Sequence, residues 1–305
     1  MTVVVTGSAG FIGSILVDEL LSRGERVIGV DRRVQPARPG LLVLTADLVD
    51  WPDELLDAAL EGADAVFHLA GCPGVRDGAA DSVIDIGDRR RRDNVDATAR
   101  VLAVVPGHVP VVVASSSSVY GGARGRPSRE SDALRPLGGY ARSKVAAEAL
   151  CQQRLRTGGR VAIARPFTVV GEGQRADMAI ARWLRAAALG RPLQVFGSLR
   201  RSRDLTDVRD AVRVLIALAE RQACGPVNVG TGRPYTLAQI VAAISEITCT
   251  RIDTVVTPAD HAEPADTRAD TRHLRETVGF VPQTDLTAVV ARQLAASTAV
   301  GALSP

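Results

Sequence analysis

The chain of 305 residues has very little lysine and few aromatic residues. Lys144 is its only lysine, and the other 36 of its 37 cationic residues are arginine. Aromatic residues make up 3% of the sequence, so the core has to consist mainly of Val, Leu, Ile and Ala. No apolar run reaches the ~18 residues that a membrane helix needs. A strand pattern begins at Thr2, so we expect neither a membrane span nor a signal peptide.

Cysteine and net charge are low as well. The four cysteines contain no C-x-x-C pair, which indicates free thiols in a reducing compartment and no disulfide framework or metal site. A net charge of +3 is too small to favour nucleic-acid binding, although the arginines leave anionic small molecules as candidate ligands. We therefore expect a cytoplasmic protein that binds no metal, nucleic acid or membrane.

A strand, a glycine-rich turn and a helix open the chain. Residues 2–6 are a short apolar strand, Gly7-Ser-Ala-Gly10-Phe-Ile-Gly13 follows, and a second strand over 26–30 ends in Asp31. This order is typical of a dinucleotide-binding unit, because the glycines let the backbone approach a pyrophosphate at the helix N-terminus. The predicted cofactor contacts in this turn are Gly7, Gly10, Phe11, Ile12 and Gly13.

The residues after the second and third strands indicate the type of cofactor. Asp31 can accept hydrogen bonds from the adenosine ribose hydroxyls, which favours NAD over NADP. Arg32 and Arg33 weaken this inference, because an arginine there can hold a 2′-phosphate. Asp47 and Leu48 follow the third strand, and we predict that they contact the adenine.

Strand and helix patterns alternate up to about residue 167, which predicts an α/β fold with a Rossmann-type, doubly wound parallel sheet over residues 1–167. Within it, residues 75–93 are expected to be a loop whose arginines, Arg89–Arg92, form a solvated charge run. The pattern changes afterwards, and we predict a smaller mixed substrate-binding lobe over residues 168–305. Some of its helices, such as 206–221, are expected to pack back on the sheet.

Two stretches carry residues suited to catalysis. Ser115, Ser116, Ser117 and Ser118 follow the apolar strand Val111–Ala114, at the end of a parallel strand where ligands bind. Tyr140 and Lys144 lie four residues apart, so on a helix they share one face. A nearby ammonium favours the phenolate form of a tyrosine, and we expect Lys144 to lower the pKa of Tyr140. The Tyr-x-x-x-Lys pattern by itself is common, so its position matters more than its presence.

The chain resembles the extended short-chain dehydrogenase/reductases, in particular their nucleotide-sugar epimerase/dehydratase branch. The resemblance covers nearly the whole length and rests on Thr6-Gly-x-x-Gly-x-x-Gly13, Asp31, His68-Leu-Ala70, Asn94, Ser116, Tyr140-x-x-x-Lys144, Arg203-Asp204 and Asn228-Val-Gly-Thr-Gly232. It implies NAD as cofactor, catalysis by Ser116, Tyr140 and Lys144, and a homodimer formed through the helices that start near Asn94 and Tyr140. The further cofactor contacts that it implies are Arg32, Asp47, Leu48, Leu69, Ala70, Asn94, Ser115, Tyr140, Lys144 and Pro166.

Within the branch, the chain is most similar to UDP-glucuronate 4-epimerases. Dehydratases of the family carry an Asp-Glu pair after the active-site Ser or Thr and decarboxylases carry a Glu, whereas this chain has Ser117 and Ser118. Thr168 and the stretch Arg175-Ala-Asp-Met-Ala179 also match the uronate enzymes. The substrate-binding residues that this resemblance implies are Ser116, Ser117, Ser118, Thr168, Arg175, Met178, Val195 and Arg203.

Other assignments remain open on the same residues. Ser and Thr at strand ends also satisfy backbone groups, so the hydroxyls alone do not prove a uronate substrate. The alternatives are a UDP-glucose/UDP-galactose 4-epimerase, a nucleotide-sugar reductase or dehydratase, and a non-catalytic cofactor sensor. Near the C-terminus, Glu263 stands where relatives have a phosphate-binding arginine, and Arg268 is the candidate substitute.

Overall fold

A parallel sheet of seven strands forms the centre of the computed structural model, which describes residues 1–74, 83–259 and 263–299. The described part of the chain also contains shorter strands outside this sheet, which form three two-stranded pairs. All of these strands in chain order are β1 (Thr2–Thr6), β2 (Arg26–Asp31), β3 (Leu41–Thr45), β4 (Ala65–His68), β5 (Val111–Ala114), β6 (Val161–Pro166), β7 (Thr168–Val170), β8 (Leu193–Phe196), β9 (Ser202–Arg203), β10 (Leu205–Asp207), β11 (Gly225–Val229), β12 (Tyr235–Thr236) and β13 (Thr254–Thr257). The order across the sheet is β11-β6-β5-β4-β1-β2-β3. This arrangement confirms the predicted Rossmann-type α/β fold.

Helices cover both faces of the sheet and build the second lobe. They are α1 (Phe11–Ser22), α2 (Asp53–Leu60), α3 (Val83–Arg91), α4 (Ala97–Val104), α5 (Gly138–Arg156), α6 (Ala179–Ala188), α7 (Val208–Glu220), α8 (Leu237–Thr248), α9 (Arg272–Val278) and α10 (Leu286–Ala299). A π-helical turn, Arg92–Asp96, joins α3 to α4, and a 3-10 turn, Ser117–Tyr120, follows β5. Among the described residues, no helix is both long and apolar enough to cross a membrane.

The apolar runs of the strands are explained by burial on both faces. In β1, Val3 and Val5 pack with Leu16 of α1 on one face, whereas Val4 packs with Leu56 of α2 on the other. Successive side chains of a strand point to opposite faces, so a strand covered by helices on both sides has to be apolar throughout. This places β1, β4 and β5 in the middle of the molecule, with their carboxyl ends at one edge.

The second lobe has a hydrophobic core of its own. Helices α6, α8 and α10 and the parallel pair β8–β13 enclose a cluster that includes Leu184, Leu193, Ile244 and Val289. Not all of residues 168–305 belong to this lobe, however. Helix α7 packs on the sheet with α1, and β11 pairs with β6 as the outermost strand. The chain therefore returns to the first lobe after residue 167.

The structure corrects two predicted elements. The predicted loop 75–93 contains α3 and the start of the π-helical turn, while residues 75–82 lie outside the described part of the chain. Nor is its charge run only solvated, because Arg90 is buried and donates to the Gly74 carbonyl. The helix expected from residue 206 begins at Val208, since Leu205–Asp207 pairs with β7 and the Asp207 side chain caps the helix.

Candidate active site

A cleft of about 1400 Å³ lies at the carboxyl ends of the central strands, between the sheet and the second lobe. Its lining includes the glycine-rich turn, the end of β5, the start of α5 and the segment that leads into α6. In open parallel sheets, ligands bind at this edge. Every predicted site residue except Asp47 and Val195 lines the cleft.

The glycine-rich turn brings bare backbone to the floor of the cleft. Gly7 has φ +73°, and a Cβ there would lie 2.7 Å from the Ala70 nitrogen. A Cβ at Gly13 would lie 2.1 Å from the Gly7 carbonyl oxygen, so only glycine fits. The turn ends at the N-terminus of α1, where N–H groups without intrahelical acceptors and the helix dipole favour an anion. This geometry suits a pyrophosphate.

Asp31 lies beside this turn, at the end of β2. Its carboxylate accepts hydrogen bonds from the Ala9 nitrogen at 3.0 Å and the Arg33 nitrogen at 2.9 Å. A carboxylate has about four acceptor positions, so Asp31 can still accept from ribose hydroxyls. Asp47 lies behind the cleft wall and pairs with Arg32 at 2.6 Å, while Leu48 reaches the lining.

His68 and Asn94 form buried hydrogen bonds next to the cleft. The buried His68 ring lies between the Thr6 hydroxyl at 2.8 Å and the Thr98 hydroxyl at 3.0 Å. Burial, with a smaller contribution from the charge of Lys144, lowers the pKa of His68 to about 3. Asn94 forms hydrogen bonds with the backbone of Cys72 and with the Ser143 hydroxyl, and so connects the π-helical turn to the segment after β4 and to the first turns of α5.

The predicted catalytic residues come together at the end of β5. The Ser116 hydroxyl accepts from the Ser118 nitrogen at 3.1 Å and is hydrogen-bonded to Tyr140. Lys144 is 8% exposed, and its ammonium donates to the Ala114 carbonyl at 2.8 Å. The ammonium lies 6.0 Å from the centre of the Tyr140 ring. The serine, tyrosine and lysine thus form one group.

The electrostatics of this group differ from the expectation. Burial raises the pKa of Tyr140, and the hydrogen bond from Ser116 and the charge of Arg175 only partly oppose it. Burial also lowers the pKa of Lys144 to about 8. The expected lowering of the Tyr140 pKa is therefore not produced by the protein's own groups, since desolvation outweighs the nearby cations.

Small hydroxyls and one arginine line the cleft beyond Tyr140. Ser117, Ser118 and Thr168 all reach its surface. Among the described residues, the Ser118 hydroxyl is buried and has no hydrogen-bond partner, although such groups are normally satisfied. Arg175 forms a two-point ion pair with Asp177 and adds positive charge near Tyr140. This region can accept a polar, anionic group.

Two expectations at the far end of the cleft are wrong. Val195 was expected to contact substrate, but its side chain is fully buried in the core of the second lobe. Its strand neighbours Gln194 and Phe196 line the cleft instead, since alternate residues of β8 face opposite ways. Arg268 does not reach this end; its guanidinium donates to the Gly232 carbonyl, and Glu263 occupies the lining.

Cys72 and Trp183 also line the cleft, although neither is among the predicted site residues. Cys72 lies two residues after Ala70, and its position near the carboxyl end of β4 is the only sequence feature that indicates a place near the cleft. Trp183 lies on α6, and its indole nitrogen donates to the Gln194 carbonyl at 2.9 Å. No local pattern assigns it to a ligand site.

The residues present fit an NAD molecule. The carboxylate of Asp31, the glycine cradle and the Tyr140–Lys144 pair all line one cleft, as the adenosine ribose, the pyrophosphate and the nicotinamide end require. Within the described part of the chain, no group of three or more His, Cys, Asp or Glu side chains could hold a metal ion.

Comparison with known proteins agrees with this geometry. The model of the NAD dependent epimerase/dehydratase family matches residues 3–230. An uncharacterized UDP-glucose epimerase, YtcB of Bacillus subtilis (strain 168), is 32% identical over 94% of both chains. The structure of MoeE5 in complex with UDP-glucuronic acid and NAD is 38% identical, has a TM-score of 0.89, and is matched over 98% of this chain and 100% of that one. UDP-glucuronic acid 4-epimerase from Bacillus cereus, with the same two ligands, is 26% identical with a TM-score of 0.89 over 98% and 100% of the two chains.

Proposed function

Since this chain belongs to the NAD-dependent epimerase/dehydratase family, we propose that it is a 4-epimerase that interconverts UDP-glucuronate and UDP-galacturonate. The observation that carries the sugar assignment is the group of small hydroxyl residues in the cleft lining, Ser117, Ser118 and Thr168, of which Ser118 has a buried hydroxyl without a partner among the described residues. A sugar carboxylate would accept hydrogen bonds from this group. The relatives that bind UDP-glucuronic acid support the same assignment.

The proposed acid–base steps use Tyr140 and Ser116. When bound, NAD⁺ supplies a hydride acceptor for C4 of the sugar and a positive ring charge that favours a neighbouring phenolate. Tyr140 removes the proton from the 4-hydroxyl, and Ser116 shares this proton through its hydrogen bond to Tyr140. The 4-keto sugar turns over, its C4 would take the hydride back on the opposite face, and Tyr140 returns the proton to the 4-oxygen. Such general base catalysis contributes roughly 10²- to 10⁴-fold.

Lys144 holds a positive charge at the base of the cleft. Its pKa of about 8 keeps the ammonium protonated at neutral pH, and the Ala114 carbonyl fixes its position. Two of its three donors remain for ribose hydroxyls. An arginine head is larger and planar, so it would not fit the same buried position.

The hydroxyls beyond Tyr140 have a second task. A 4-keto uronate is a β-keto acid and loses CO₂ when the breaking C–C bond aligns with the carbonyl π system. Hydrogen bonds from Ser117, Ser118 and Thr168 would hold the carboxylate so that this bond stays in the plane of the ketone. Neither Ser117 nor Ser118 can do the acid–base work of the carboxylates that dehydratases carry at these positions.

Two arginines are candidates for binding the substrate pyrophosphate. Arg175 and Arg203 line the cleft, and arginine forks match phosphate oxygens. Arg203 donates to the backbone carbonyls of Ser202 and Ala265, which fixes its head. Arg182 also lines the cleft but lies over the Phe196 ring and donates to Gln194, so it has structural contacts of its own.

Product analysis of the purified protein with UDP-glucuronate and no added reductant tests the proposal. We expect UDP-galacturonate to accumulate without a steady change in nicotinamide absorbance. The Tyr140→Phe variant should lose turnover and still bind NAD. Turnover by this variant, or steady formation of NADH by the wild type, would contradict the assignment.

The carboxylate restraint has its own test. Thr168→Ala and Ser117→Ala should release a decarboxylated 4-keto pentose nucleotide beside the epimer. Clean epimerisation by both variants would remove support for this step and leave the epimerase assignment intact.

A neutral hexose is the second candidate substrate. MoeE5 has been solved with UDP-glucose as well, and the Bacillus subtilis relative carries the name of a UDP-glucose epimerase. Equal turnover of UDP-glucose and UDP-glucuronate would favour this reading. We further propose a homodimer through α4 and α5, which pack side by side on one face of the sheet; gel filtration with light scattering tests it.

A further inference from the structure

The adenosine end of the cleft contains an arginine that could attract NADP. Arg32 directly follows Asp31 at the end of β2, and an arginine near this position can accommodate the 2′-phosphate of NADP. The local sequence therefore supports either cofactor. The side-chain contacts of Arg32 decide between them.

All three nitrogens of the Arg32 head are occupied by carboxylates. Its Nε lies 2.6 Å from an Asp47 oxygen, and Nη1 donates to Asp93 Oδ2 at 3.0 Å, while Nη2 donates to Asp93 Oδ1. This two-point contact is the strongest arrangement that an arginine makes with a carboxylate. The side chain of Asp93 is only 4% exposed, so solvent screens the pair weakly.

Arg92 completes the arrangement. Its Nη1 lies 3.0 Å from Asp47 Oδ2 and 3.1 Å from Asp93 Oδ1. The formal charges of Arg32, Arg92, Asp47 and Asp93 cancel among themselves. Arg33 is the cation beside Asp31, because its Nε lies 3.6 Å from that carboxylate and its head donates to the Ala9 carbonyl.

We propose that Asp47 and Asp93 are specificity-determining residues, which hold Arg32 away from the 2′ position and thereby exclude NADP. A 2′-phosphate would meet the Asp31 carboxylate, while the Arg32 head is held by Asp47 and Asp93 and Arg33 is paired with Asp31. To bind it, Arg32 would have to give up its two-point contact with Asp93, whose side chain is 4% exposed. The inference does not depend on which sugar the enzyme uses.

Binding of NAD⁺ and NADP⁺, measured by titration calorimetry at fixed salt, tests the proposal. In the Asp47→Asn/Asp93→Asn variant Arg32 is released, and we expect NADP⁺ affinity to rise about tenfold relative to NAD⁺. Adding Arg32→Ala should abolish this gain. Adding Arg92→Ala, the matched control, should preserve it.

An unchanged NADP⁺ to NAD⁺ affinity ratio in the double variant would overturn the proposal, as would a gain that survives Arg32→Ala. A second arm uses the otherwise wild-type chain, where Arg32 is half-exposed and Asp93 keeps Arg89 and Arg92 as partners after its removal. Arg32→Ala alone should leave the affinity ratio within about twofold. A selective loss of NADP⁺ binding would show that Arg32 already reaches the 2′-phosphate, and would also overturn it.

Discussion

The buried ion pair between Glu148 and Arg165 provides the sharpest test of the structure. Arg165 Nε and Nη2 donate to the two Glu148 oxygens at 2.9 and 2.6 Å, and the two side chains are 5% and 4% exposed. Ser115 donates to Glu148 at 2.5 Å, and Arg165 Nη1 donates to the Tyr120 hydroxyl at 2.8 Å. The pair thus ties α5 to the ends of β5 and β6, next to the catalytic residues.

Removing either charge leaves the other buried and unpaired. We expect Glu148→Leu or Arg165→Met alone to lower the free energy of unfolding by about 3–5 kcal/mol. In the Glu148→Leu/Arg165→Met double variant no unpaired charge remains, and the apolar pair occupies a similar volume. Ser115, Tyr120 and the Glu130 carbonyl each lose one hydrogen bond, worth about 1 kcal/mol apiece. The double variant should therefore be destabilised by about 2–3 kcal/mol, less than either single variant.

Urea unfolding of the four proteins, followed by far-UV circular dichroism at neutral pH, measures this cycle. The reasoning requires the double variant to be the most stable of the three variants, with a coupling energy of more than about 2 kcal/mol. Additive losses, or single variants within about 1 kcal/mol of wild type, would refute it. Turnover adds a second measurement: a stable double variant with reduced kcat would show that the pair also positions Ser116.

Three further predictions follow from single residues. Lys144→Met should abolish turnover. Because burial lowers the pKa of Lys144 to about 8, the same variant should raise the free energy of unfolding at pH 7 by up to about 3 kcal/mol. This gain should shrink as the pH rises above 8, where Lys144 loses its proton in the folded state before it does so in the unfolded state. The pKa of His68 is about 3 in the folded state and 6.5 in the unfolded state, so its contribution to stability is complete above pH 6.5. This contribution should fall by about 1.4 kcal/mol per pH unit between pH 6 and 4. In urea unfolding measured at several pH values, His68→Gln should lack this dependence of the unfolding free energy on pH. Gly13→Ala should abolish NAD binding in calorimetry and lower the free energy of unfolding by about 1–3 kcal/mol, because its Cβ would lie 2.1 Å from the Gly7 carbonyl oxygen. In the control variant Gly87→Ala, the new Cβ lies in open space on the surface of α3, so this change should be neutral or stabilising.

The prediction at β8 failed for a reason that periodicity explains. Val195, Gln194 and Phe196 are adjacent, and a shift of one residue moves a side chain from the cleft to the core. A short strand in the second lobe carries no repeated pattern that fixes which face is inward. The packing of α6 and α8 against β8 decides it, and local sequence does not record that packing.

Helix α3 was missed because its sequence lacks an apolar stripe. Its last turn is Arg89, Arg90 and Arg91, which reads as a solvated run. The structure buries Arg90 through its bond to the Gly74 carbonyl, a partner 16 residues earlier in the chain. Tertiary contacts of this kind stabilise a helix without leaving a periodic signal.

The sequence by itself determined the parallel sheet, the glycine turn and the Tyr140–Lys144 pair, because each depends on spacing within one strand, turn or helix. The tertiary structure decided which charged groups pair with each other and which ionisable groups are buried. Arg32 meets Asp93 across 61 residues, and burial together with the charge of Arg175 sets the pKa of Tyr140. Charge pairing and burial depend on distances through space, which spacing along the chain does not contain.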